Sequence, residues 1–269
     1  MIITKKEFDY ILKNKEKQRF VVEVDFGLRK VWVEIRENKA VLEGNLEISL
    51  KEKIKEQFCY NLNKKGLAKI AFFSSQTNYF YKLMPTDDWP TICINSVPMH
   101  KISSPKKDTE NKINFLRPFG FVLDTCMGLG YTAILASKNA KTVITFENDE
   151  NVLYLARLNP LSRELFSSPN IKLEIKDIAK EIKKLRSQYF DCIIHDPPTF
   201  KLAPNLYTIS FYSELLRILK KGGKLFHYTP LYKITHNFYF PAKIEEKLKK
   251  TGFKIISASK IAGGILCKK

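Results

Sequence analysis

The stretch FVLDTCMGLGYTAI, residues 121–134, changes character twice in a short span. It opens as an apolar run, Phe121-Val122-Leu123, that ends on the carboxylate of Asp124. Gly128 and Gly130 then form a G-x-G turn, and YTAILASKNA continues with the spacing of a helix. Glycine suits this place because the backbone must swing sharply from strand into helix while something lies against it. With Ala133 the turn satisfies G-x-G-x-x-A, a pattern that tight turns also produce for geometry alone. Its meaning therefore depends on its surroundings.

The surroundings alternate strictly. TVITFE, KLEIKD, FDCIIHD and KLFHYTP read as strands, and NVLYLARLNP, AKEIKKLRSQ, FYSELLRILKK and KIEEKLKKTG as helices. Short apolar strands separated by helices build a parallel sheet covered on both faces. FKIISASKIA and GGILCKK, separated by Gly263 and Gly264, predict an antiparallel hairpin at one edge. Residues 120–269 thus form an α/β, Rossmann-like domain.

Glu147 ends the second strand, about 20 residues beyond the turn, where an acid hydrogen-bonds the hydroxyls of a ribose. Asp177 ends the third strand and is placed to face an adenine edge. Asp149 and Glu150 read instead as the acidic start of a helix. Open α/β sheets bind ligands at this rim. A dinucleotide pyrophosphate is disfavoured, because the carboxylate of Asp124 would repel it. The same carboxylate suits the ammonium-bearing end of S-adenosylmethionine (SAM). Asp124, Gly128, Gly130, Glu147 and Asp177 are the expected cofactor residues.

The strand FDCIIHD runs into HDPPTF, residues 195–200, where a carboxylate is followed at once by two prolines. VLDTCMGLGYTAI, the position of Glu147 and HDPPTF together resemble class I SAM-dependent methyltransferases. HDPPTF is similar to the signature of enzymes that methylate exocyclic amines of nucleobases: Asp, Asn or Ser, two prolines, then an aromatic. YKLMPTDDWP, MHKIS, VLDTCMGLGYTAI and LFHY also resemble a family of predicted archaeal methyltransferases with an N-terminal extension. The resemblance implies that Asp196 and a carbonyl of the Pro197–Pro198 segment grip the two N–H bonds of an amine, while Phe200 stacks on a base drawn out of its helix. Proline fixes φ and removes a donor, which holds that carbonyl in place. Here Thr199 takes the usual aromatic position and Phe200 comes one residue later. D-P-P-x-F also looks like a stretch of some RNA cytosine C5-methyltransferases, but no cysteine nucleophile follows it, and Cys126 in the turn is a poor stand-in. Strand alternation points His195 away from Asp196, as a packed histidine rather than a base. His227 and Tyr228 end the fifth strand, where they line the substrate side or simply pack the strand.

The first part of the chain has another rhythm. FVVEVDFGLRKVWVEIRENKAVLEGN is a strand meander, SLKE at 49–52 is a capping-box pattern that predicts a helix through KEKIKEQFCYNL, and LAKIAFF, NYFYKLM and TICIN are strands. Residues 1–98 read as a small α+β domain that binds substrate. Residues 99–119 read as a lysine-rich linker carrying His100 and Lys101 and ending in a helix, ENKINFLRPF. No apolar run reaches membrane-spanning length, and the N-terminal residues carry no secretory pattern. Five scattered cysteines, without C-x-x-C pairs or neighbouring histidines, argue against zinc or disulfides and fit the cytoplasm.

A net charge of +18 draws a polyanion to the surface, although a lysine-rich composition alone produces such a charge. The expected protein is a SAM-dependent methyltransferase acting, without a metal, on an amine nitrogen of a base in structured RNA, tRNA or rRNA. The aromatic, lysine-rich segment LYKITHNFYFPAK reads as either an RNA-contacting loop or a covered edge. Rival readings are methylation of a protein side chain or small amine, and a non-catalytic RNA-binding module.

Overall fold

A computed structural model describes residues 1–100, 104–229 and 240–269. Lys101 and most of LYKITHNFYFPAK lie outside these residues. Contacts divide the chain into two compact units, Met1–Pro105 with Tyr154–Leu161, and Lys106–Leu153 with Ser162–Lys269.

The second unit is built on one seven-stranded sheet. Its spatial order is Ile171–Ile175, Ala140–Glu147, Gly120–Asp124, Phe190–His195, Leu219–Tyr228, Gly264–Lys268, Lys254–Ser259. The first five strands run parallel, and Gly264–Lys268 is antiparallel to both of its neighbours. This is the Rossmann-like sheet with an antiparallel end hairpin that the alternation predicts. The turn of that hairpin precedes Gly264, which already pairs with Tyr228. Leu123, Ile193, Leu225, Leu215, Ile218, Ile244 and Leu248 share one core cluster, so helices cover the apolar strands as their sequences require.

The helix Pro105–Leu116 begins five residues earlier than ENKINFLRPF suggests. The helix expected from AKEIKKLRSQ is cut short: Ile178–Glu181 is followed by a single 3-10 turn, Ile182–Lys184. Arg217 explains the stop, because its guanidinium donates to the carbonyls of Ile182 and Leu185 at 2.9 and 2.8 Å and replaces the next helical turn.

The first unit is β-rich, with three antiparallel sheets. The meander is present as Arg19–Val24, Arg29–Arg36, Lys39–Leu42 and Leu46–Ser49, and Val22, Val24, Val31 and Val33 face its core. The helix predicted from Ser49 does not form. Ser49 instead ends a strand paired with Lys39, its hydroxyl accepts the Lys51 N–H, and the chain turns. Ile54 and Phe58 pack into the core without helix, and Tyr60 and Leu62 reach it from the strand Tyr60–Asn63. A helix that the reading overlooked, Lys5–Lys13, opens the unit with a true capping box between Thr4 and Glu7.

Candidate active site

The parallel strands bring five chain segments to one rim. Asp124 ends its strand fully buried; its Oδ2 accepts from the hydroxyls of Thr145 at 2.9 Å and Thr132 at 3.2 Å. Its Oδ1 is buried and has no hydrogen-bond partner among the described residues. Burial raises this carboxyl to about 7, and the two threonines pull it the other way.

The two glycines of the turn serve different ends. A Cβ at Gly130 (φ +78°) would stand 2.7 Å from Leu165, so glycine is needed there for packing. A Cβ at Gly128 (φ +56°) would meet nothing within 4 Å, so that side of the turn is open. Glu147 is tied to the turn: Oε2 accepts from the Gly128 N–H at 3.2 Å, and Oε1 from Asn148 and Asp149 at 3.0 and 2.9 Å. Burial raises its carboxyl to about 7 against those donors. Asp177 lies two residues past the end of its strand and caps a short helix, accepting from the Ala179 N–H at 2.9 Å.

Asp196 follows the strand beside that of Asp124 and is half-buried. The two carboxylates are close enough for Asp196 to raise Asp124. Oδ2 of Asp196 accepts from Lys112 Nζ at 2.6 Å, and no described residue bonds Oδ1. Lys112 comes from the Pro105–Leu116 helix and is almost wholly buried. It also lies 2.5 Å from Asp108 Oδ2 and 4.6 Å above the ring of Tyr228. Burial presses its ammonium toward neutrality, but Asp196 and Asp108 outweigh that and hold the charge.

Of the two proline carbonyls, that of Pro198 accepts the Tyr207 hydroxyl at 2.7 Å, and that of Pro197 lies at the 3.5 Å limit of the same group. Pro197 therefore keeps the freer carbonyl. Phe200 is 52% exposed and touches Tyr207 edge-on, with centroids 5.6 Å apart. Lys112 and Tyr207 escaped the sequence reading. A lysine in a lysine-rich linker carries no local mark, and Tyr207 stands beyond the motif in a 3-10 turn.

His195 is packed, not catalytic in placement. It is fully buried between Thr125 Oγ1 at 2.8 Å and the Leu206 carbonyl at 3.0 Å, and burial keeps it neutral. His227 is likewise buried, accepts from Tyr212 at 2.8 Å, and is lowered to about 4. The five cysteines are free, and burial raises the Cys126 thiol, which makes it a weak nucleophile. Among the described residues no cluster of His, Cys, Asp and Glu is arranged to hold a metal ion.

Asp124 and Glu147 end adjacent strands, and Gly128, open on one flank, lies in the turn that Glu147 holds. Sheet order and rim together define a class I SAM-dependent methyltransferase. Residues 153–264 match a family described as S-adenosyl-L-methionine-dependent methyltransferase. An uncharacterised protein of Methanocaldococcus jannaschii, MJ1233, is 41% identical over 235 residues, covering 84% of this chain and 80% of that protein. A second protein of that organism, MJ0670, is 32% identical over 40% of this chain and 36% of its own. The chain belongs to this family of SAM-dependent methyltransferases. Among solved structures, a spermidine synthase in complex with the transition-state analogue AdoDATO superposes with a TM-score of 0.59 at 18% identity, over 74% of this chain and 72% of that one. MnmC2 from Aquifex aeolicus gives 0.51 at 20% identity, over 70% of each chain. At these identities the likeness is one of fold.

Proposed function

We propose that the enzyme methylates an amine nitrogen of a base in structured RNA, tRNA or rRNA, in a reducing, cytoplasmic setting. One observation carries this reading. The half-buried carboxylate of Asp196 stands at the rim next to Asp124 with one oxygen uncommitted, and the next residue, Pro197, has the less engaged of the two proline carbonyls. We assign these two oxygens to the two N–H bonds of a primary amine.

SAM, when bound, supplies a methyl group activated by a sulfonium. Asp124 receives the ammonium of its methionine end, Gly128 leaves room for the chain, Gly130 shapes the turn, and Glu147 accepts the ribose hydroxyls. Asp177 contributes its Oδ2, which lies 3.9 Å from Lys180 Nζ. Asp196 Oδ1 and the Pro197 carbonyl orient the amine lone pair. Oδ1 then takes the proton that the nitrogen sheds as the N–C bond forms and the C–S bond breaks. Phe200, exposed at the loop, stacks on the base.

Charge supports the RNA reading and suggests where RNA would lie. Residues 106–269 hold 28 lysines and arginines against 15 acids, and residues 1–105 hold 18 against 13. The backbone would therefore be held chiefly by the catalytic unit, with the N-terminal unit contributing shape more than charge.

The test is transfer from labelled SAM to total RNA, total protein and a metabolite extract in parallel, using wild type and Asp196→Ala. Label in RNA that disappears with Asp196→Ala, at unchanged SAM affinity, is the expected result. Label in protein or extract alone overturns the RNA reading, and full activity of the variant overturns the role of Asp196.

A further inference from the structure

The pairing of Lys112 with Asp196 spans 84 residues and joins a linker helix to the candidate acceptor site. A carboxylate at a rim can rotate and offer either oxygen to an amine. Transfer requires the amine lone pair to aim at the methyl group, so a carboxylate that turns misaims it. Here Oδ2 is held by a buried ammonium, and only Oδ1 is left to face the acceptor. We infer that Lys112 is a positioning residue for methyl transfer, fixing the plane of the Asp196 carboxylate so that Oδ1 alone receives the acceptor amine. This rests on the acceptor role of Asp196 proposed above.

The surroundings of Lys112 fit this task. An ammonium shared between Asp196 and Asp108 and seated over the Tyr228 ring is not a base, since it stays charged. Its helix is anchored to the sheet by Leu116, which is buried, and by Phe115, which meets Phe226 edge-on at 6.3 Å. A lysine on an anchored helix, gripped by two carboxylates, has lost the freedom that makes surface lysines poor positioning groups.

Lys112→Met should lower kcat for transfer from labelled SAM into total RNA about thirtyfold, with the KM and the calorimetric Kd for SAM within about twofold. Lys112→Arg should recover part of the loss. In an Asp196→Asn background the same Lys112→Met change should cost less than about threefold, because no carboxylate remains to be held. Methionine at 112 removes an ammonium from beside the buried Asp108, so Lys112→Met with Asp108→Asn is made alongside to restore folding. A readout independent of any acceptor is the Asp196 carboxyl carbon resonance, which should move with Lys112→Met and not with the exposed control Lys250→Met. Wild-type kcat in either methionine variant, equal losses with and without Asp196→Asn, or an unmoved resonance overturns the inference. If wild type labels protein or extract instead of RNA, the RNA reading fails, and the cycle is run on the acceptor that is labelled.

Discussion

The Tyr207 hydroxyl donates to the Pro198 carbonyl at 2.7 Å and stands only at the 3.5 Å limit of the Pro197 carbonyl, so one ring tethers the second of the two peptide groups that follow Asp196. The prolines restrict φ, and the phenol sets the direction in which the stiffened loop points. Tyr207→Phe keeps the ring and removes the tether. Transfer should fall about tenfold, equivalent to about 1.4 kcal/mol of barrier. Stability should fall by about 1 kcal/mol, with SAM affinity unchanged. Steady-state kinetics beside calorimetry and a denaturant titration would check all three.

The glycines of the turn should separate stability from binding. Gly130→Ala drives a methyl group to within 2.7 Å of Leu165 at φ +78°, and should destabilise the protein by about 2–4 kcal/mol. Adding Leu165→Ala should remove the steric part of that cost and leave the backbone strain. Gly128→Ala, facing open space, should cost only about 1–2 kcal/mol of stability yet weaken SAM binding more than Gly130→Ala does. Denaturant midpoints and isothermal calorimetry on the three variants give the comparison.

Asp124 makes the apo protein sensitive to pH in an unusual direction. Its carboxyl titrates near 3.8 in an open chain and is raised by burial to about 7 when folded. Between those values the folded state binds the extra proton, so stability is fully present below about pH 4 and is lost as pH rises to about 7, by up to about 4 kcal/mol. Glu147, raised by burial to about 7 as well, adds to the same trend, so Asp124→Asn should reduce this dependence without abolishing it and stabilise the apo protein at pH 8. In wild type, SAM affinity should increase as pH rises toward 7, because the ammonium of the ligand favours the carboxylate. Melting curves and calorimetry across pH 5–8 test both signs.

RNA held by scattered lysines should bind with a steep salt dependence. If six or more phosphates are contacted, affinity should drop by about a thousandfold between 50 and 200 mM salt. Filter binding of a structured RNA over that range measures the slope. A slope near zero removes the electrostatic basis for the RNA reading.

The methyltransferase sheet was legible because parallel strands buried on both faces write themselves as apolar runs, such as Phe190–His195 and Gly120–Asp124. The N-terminal meander was legible for the complementary reason, since one solvated face makes Val22, Val24, Val31 and Val33 alternate with polar residues. The failures share a cause. Ser49 and Glu52 carry a helix-start pattern, but Ser49 is claimed by its pairing with Lys39, ten residues back in the preceding strand, which the four-residue spacing does not report. The truncated helix at Ile178–Glu181 is stopped by Arg217, a residue from a distant helix. At the site, the carboxylates and glycines announced themselves by falling at strand ends. Lys112, which the fold presses against Asp196, was one lysine among many in its segment. Thr4-x-x-Glu7, by contrast, is a local signal that does open a helix, Lys5–Lys13.

The strand Gly264–Lys268 lies between Leu219–Tyr228 and Lys254–Ser259, so the segment made after both of them must slide in between. During synthesis the flank of Leu219–Tyr228, which carries His227 and Tyr228, is bare until residue 268 has left the ribosome. Nascent chains halted before that point would expose an unpaired edge and invite association with one another. Completion of this edge of the sheet therefore waits on a strand made after both of its neighbours.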